Sequence, residues 1–258
     1  SNSELPEVYK VNFLPGGVDI ATGKTISASF STISTKSQTN NLSSLTLNIT
    51  PITTLKSNII ETKFAVQPSN ITNIITDADT KIAEAFGITR YDIGKDFISL
   101  QDQVVLKAAT KVNLVVETLK INITAEDSSV TGDNVITALA TVIENGSGVF
   151  DFTDATNVTN IVNNSTSVTL SAISINNSIT ISSKSSTNID EAVGDFNTVV
   201  NDVVKTTVAT IDTVTSIDKN VEINSTSYEN AITAEKDNVN VGQIYSEPDP
   251  EPEPEPQP

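Results

Sequence analysis

The side chains able to do chemistry in this sequence are almost all carboxylates. His, Cys, Met and Trp are absent. Without His or Cys there is no Ser-His-Asp triad, no thiol nucleophile, and no zinc or copper site of the usual ligand types. A carboxylate-only or Ser/Lys mechanism and an all-oxygen Ca²⁺ site survive that exclusion. Asp77 and Asp79 stand two apart on a predicted helix and so point in different directions, the wrong geometry for a shared acid–base site. Asp92 and Asp96 flank Gly94 in a loop, where solvated caps and turns are the expected roles. Asp19, in a glycine-rich loop, is the one candidate ligand for a structural Ca²⁺. No D-x-D-x-D-G array accompanies it to supply the roughly six to eight oxygens that ion needs. The expectation is therefore a structural turn, with no cofactor and no catalytic residue.

Lys24 in ATGKT resembles a phosphate loop only superficially. The motif requires G-x-x-x-x-G-K-[ST], and position 18, where the first glycine belongs, is Val18. Asn-x-Ser/Thr occurs at Asn48, Asn122, Asn145, Asn157 and Asn224, as expected by chance in a chain so rich in Asn, Ser and Thr.

Any such residue must be held by a core that composition restricts. Hydrophobic residues make up 37% of the 258, but aromatics only 5%, so Ile, Val, Leu and Ala must fill the interior. Fifteen basic residues against 32 acidic ones give a net charge of −17, which opposes nucleic acid and anionic membranes as partners. The absence of Cys fits an exported bacterial protein stabilised by its core alone. With no Met the chain is expected to be processed or partial. It carries no signal peptide and no run of about 18 apolar residues, so direct membrane insertion is not expected.

Residues 1–50 read as β. Val8 to Leu14 is an apolar run stopped by Pro15-Gly16-Gly17. Ile26, Ala28 and Phe30 alternate with Ser, and Leu45, Leu47 and Ile49 alternate with polar residues. GGVDIATGK between them is a turn or loop. From Pro51 the period becomes helical. Ile71, Ile74, Ile75, Ala78, Ile82, Ala85 and Phe86 line one face, with Gly87 at the C-cap.

A second helix is predicted to open at Ser99 with Asp102 as capping-box partner, burying Val105, Ala108, Val112, Val115 and Leu119. A third runs from Asp133 to Asn145-Gly146, and a short fourth is capped by Asp154. The longest is expected from Ile189 to about Ser216. Val168 to Ile181 alternates like a strand yet lies between helices; the preference is irregular or strand. Residues 247–258, EPDPEPEPEPQP, should form an extended polyproline II spacer stiffened by like charges.

One resemblance bears on function. GGVDIATGK at Gly16–Lys24, a polar β segment and ITPITTLKSNI at Ile49–Ile59 resemble a module of very large exported bacterial surface or adhesin-like proteins. There a GGxDxxTG turn and a strand lead to a TPLTTL entry into helices. Gly16, Gly17, Asp19, Thr22 and Gly23 match the turn; Pro51, Thr53, Thr54 and Leu55 match the entry, with Ile52 in place of the usual Leu. The likeness continues through AEAFGI, Tyr91-Asp92, QVVLKAATKVNLVVETL and DFTDATNV, spanning about Gly16 to Ile217. Members are usually Ala-rich, whereas this chain substitutes Ile, Asn, Thr and Lys. The resemblance implies an extracellular, cell-surface location and supplies no catalytic residues.

The expected fold class is α+β: a β-rich segment at 1–50, an antiparallel helical bundle at 51–240, and an acidic Pro-rich linker at 241–258. Gly16, Gly17, Asp19, Gly23, Pro51, Thr53, Thr54 and Leu55 should form the structural junction, with Ile52 and Leu55 buried and the Thr hydroxyls capping backbone. The expected function is a stalk or spacer whose partners are other domains of the same chain or copies of itself. A self-assembling surface-layer or fibre subunit, joined by donation of Val8–Leu14, is the alternative. A carboxylate-dependent glycan enzyme is the remote third, and it requires a cleft with paired acids and aromatic platforms.

Overall fold

The computed structural model describes residues 8–19, 21–35, 47–67 and 70–241. The Pro-Glu run and Leu45 lie outside them. The described chain is mostly helical, with a short N-terminal antiparallel hairpin. Strand β1 (Val8–Phe13) pairs with β2 (Phe30–Thr35) in continuous register, from Val8 opposite Thr35 to Phe13 opposite Phe30.

Eight helices come after the hairpin among the described residues: α1 (Pro51–Val66), α2 (Ile71–Phe86), α3 (Gln103–Ile123), α4 (Gly132–Asn145), α5 (Ala155–Ser165), α6 (Ala172–Asp190), α7 (Phe196–Ser216) and α8 (Ser225–Asn238). None is long and apolar enough to cross a membrane.

Local signals account for most helix ends. Thr50 and Thr53 form a capping box ahead of Pro51, which occupies the first helical position where its missing N–H costs nothing. Gly87 ends α2 at φ 63°, a left-handed conformation that favours glycine. Thr131 caps α4 and Asp154 caps α5 through side-chain oxygens.

Helix α3 is central, packing against α1, α4, α6 and α7. Its Val112, Val115 and Leu119 join the largest core, with Ile52, Leu55, Ile82, Leu139 and Ile161. Its Leu106 and Leu114 face a second core built with Val199, Val200 and Val203 of α7. A third, small core lies under α8, where Tyr228 and Ile232 meet Ile181, Ala209 and Val214.

The structure corrects four expectations. Leu47 to Thr50 is not a strand; Thr50 is already the extended N-cap of α1, so this backbone feeds a helix. The second long helix starts at Gln103, not Ser99. Ser99 donates its N–H and Oγ to Asp96, Gln101 takes φ 53°, and Asp102 is itself the N-cap, accepting from Val104 and Val105 N–H.

The helix expected from Ile189 to Ser216 is two. Ile189 lies in the last turn of α6, which ends at Asp190, and α7 begins at Phe196 after a break in which Gly194 adopts φ 137°. Ile189 and Ala192 are buried in the same core as α7, so apolar spacing ran unbroken through a break in the backbone.

Finally, Ala172 to Ile181 is helical. Ile175 and Ile179 pack on the largest core and Ile181 on the third, while Ser174, Asn177, Ser178 and Ser182 are buried. Asn122 of α3 donates its Nδ2 to Ser174 O and Ser178 Oγ, both at 2.9 Å. The helix therefore turns isoleucines to two cores and hydroxyls to α3, which in sequence mimics alternation.

Candidate functional site: the clasp between hairpin and helices

The GGVDIATGK loop is a closed turn. Asp19 Oδ1 accepts from Ala21 N–H at 3.0 Å and Oδ2 from Thr22 Oγ1 at 2.9 Å, while Gly23 N–H reaches Asp19 O at 2.7 Å. Gly16 (φ 97°) and Gly23 (φ 66°) hold left-handed conformations. Gly17 makes room for the Phe13 ring, whose Cζ lies 2.5 Å from where a Cβ would stand. Both Asp19 oxygens thus serve the turn, and no group of three metal-ligating side chains occurs among the described residues.

Beyond the turn, Lys24 pairs with Asp212 of α7. Three alternate backbone N–H groups then meet side chains of three helices. Ser27 donates to Glu117 Oε1 of α3 (2.7 Å), Ser29 to Asp133 Oδ1 of α4 (2.5 Å) and Ser31 to Thr54 Oγ1 of α1 (2.8 Å). A period of two is that of extended backbone, so these side chains stand where a third strand would pair. Ser29 Oγ adds a bond to Asp133 Oδ2 (3.0 Å), and Thr53 Oγ1 donates to Ser31 O (2.9 Å). Gly132 permits the approach: a Cβ there would sit 2.6 Å from Ser27 C and 2.7 Å from Ala28 N.

Of the residues singled out from sequence, Asp19, Gly16, Gly17 and Gly23 shape the turn. Thr53 and Thr54 hold Ser31, and Ile52 and Leu55 are fully buried beneath them. Pro51 starts α1 and lines a cleft of about 350 Å³ between the turn, α3 and α7. That cleft is lined by Phe30 and Phe97, and Asp19 is its one acid. Sequence reasoning did not find Glu117, Gly132, Asp133 or Asp212. They lie about a hundred positions or more from their partners, and no local pattern marks them.

The other carboxylates are held in separate structures. Asp79 pairs with Lys56 at 2.6 Å. Asp92 accepts from Lys95 Nζ (2.8 Å) and from Thr89; the Lys95 bond is the main cause that lowers its carboxyl to about 2. Asp96 is lowered by hydrogen bonds from Ser99. Glu117 moves the other way: burial raises its pKa, against its bonds from Ser27 and the charge of Lys120. Asn122, one of the glycosylation-type sequences, is fully buried.

No family model, no curated protein and no solved structure matches the chain.

Proposed function

We propose that the chain is a non-enzymatic, extracellular segment of a large bacterial cell-surface protein, acting as a stalk or spacer. The observation that carries this reading is the clasp. The turn and the Thr-Thr-Leu step, on which the resemblance to exported surface proteins rests, direct their polar groups to backbone and fasten a hairpin to three helices. Such a fastening suits a unit that transmits load between neighbouring domains of a longer chain. The acidic Pro-Glu run at 247–258 supplies a spacer for that connection.

The test is to locate the protein on its own cells and then to pull it. Antibody labelling and protease shaving of intact cells should reach it. Stretched between its ends, the chain should unfold at a higher force than its Thr54→Val variant. Protection inside intact cells, or equal forces for the two, would overturn the proposal.

A further inference from the structure

The two edges of the hairpin differ. On the β2 side, Thr54 closes the outer edge at Ser31, and Asp133 and Glu117 close the segment leading into the strand at Ser29 and Ser27, whereas β1 pairs among the described residues only with β2. We propose that the free edge of β1 is a self-association surface, pairing antiparallel with β1 of a second copy. This inference does not depend on the stalk reading.

Hydrogen-bond direction fixes which groups are free. Ser31 gives its N–H and C=O to the clasp, so its pair with Asn12 is a non-hydrogen-bonded one. By alternation, the N–H and C=O of Val8, Lys10 and Asn12 point away from β2. Usual edge defences are missing: β1 contains no proline and no bulge, and its one charge, Lys10, is tied to Glu61 at 2.8 Å.

Opposed residues in an antiparallel ladder share one hydrogen-bonding state, so a two-fold pairing must centre on a residue. Centring on Lys10 opposes two ammonium groups, and centring on Asn12 leaves Val8 and Tyr9 unpaired. Centring on Val11 sets Val11 against Val11, Lys10 against Asn12, Tyr9 against Phe13 and Val8 against Leu14. Every pair in that register is compatible, and Lys10 and Asn12 exchange the outward hydrogen bonds.

The exposed side chains fit this occupant: Val11 is 37% exposed, Phe13 45% and Leu14 70%. Two chains of charge −17 repel, so the dimer should be weak and favoured by salt.

The chain has no Cys, which makes single-cysteine crosslinking unambiguous. In this register Val11 faces its counterpart across a non-hydrogen-bonded pair, within disulfide reach. Oxidised Val11→Cys should form covalent dimer roughly tenfold faster than Val149→Cys, an exposed site in the loop after α4. Sedimentation of the unmodified chain should show a dimer fraction that rises at least about threefold from low to about 0.5 M salt.

Val11→Lys, which opposes two lysines, and Asn12→Pro, which removes an outward N–H, should both abolish the dimer while circular dichroism stays unchanged. A chain monomeric to about 1 mM at every salt concentration would overturn the proposal. So would equal crosslinking at residues 11 and 149, or a dimer that survives both substitutions.

Discussion

At the junction, the hydroxyls of Thr53 and Thr54 hold backbone atoms of Ser31, a residue of a different element. On α6 and α7, the hydroxyls of Ser186, Thr206 and Thr210 are just as buried and have no hydrogen-bond partner among the described residues. One composition thus does two jobs. In the first region the hydroxyl is needed for its lone pairs and proton. In the second it is tolerated because the side chain is small enough for helices to approach closely. An unmet buried donor costs far more than a made hydrogen bond contributes, so substitution should separate the two regions clearly.

The largest effect belongs to Thr54→Val, which keeps shape and removes the acceptor of the Ser31 N–H. It should destabilise by about 2 kcal/mol in urea unfolding, with the hairpin amides losing exchange protection first. A neutral result would mean that the clasp is not what fastens β2.

Glu117→Ala should cost about 1 to 2 kcal/mol by orphaning Ser27 N–H. Glu117→Gln sharpens the point, because it keeps an acceptor and removes a buried charge. Burial raises the Glu117 pKa, so its contribution is fully present below its unfolded value near 4.5 and is lost as pH rises through the folded value. The Gln variant should therefore match or exceed the parent at pH 7, lose that advantage as pH falls through the raised folded value, and keep none of it below about 4.5.

Asp92 has the opposite sign. Its folded pKa of about 2 lies below the ordinary 3.8, so its stabilisation is present above 3.8 and lost as pH falls towards 2. Asp92→Asn should lower the unfolding midpoint at pH 7, with a difference that shrinks as pH falls through about 2.

The smallest effects are expected on α7. Thr206→Val and Thr210→Val should each cost no more than about 0.5 kcal/mol, or raise stability, because no hydrogen bond is lost and a buried hydroxyl without a partner is removed. A loss as large as that of Thr54→Val would erase the contrast between the two regions.

How much of this could be read from sequence depends on the range of each interaction. Gly87, Asn145-Gly146 and Asp154 mark helix ends because a cap acts within a few residues, and the period of Ile74, Ala78 and Ile82 shows which face is inward. The Ser99 start failed although it is local: Asp102, expected as the partner in a capping box, is itself the cap, and the left-handed Gln101 separates it from Ser99. Helix α8 has only Tyr228 and Ile232 buried, too little to create a period.

The sequence alone determined the helix-forming faces, the closed GGVDIATGK turn and the Pro-started entry at Thr50–Pro51, since each depends on neighbours in the chain. Tertiary structure decided the rest. It made α6 a helix by giving its isoleucines two cores and its serines a close partner in α3. It split the run at Gly194, and it recruited Glu117, Asp133 and Asp212 to fasten the hairpin. Those outcomes required contacts between positions far apart in sequence, where hydrogen-bond geometry and packing exist only after the elements have met.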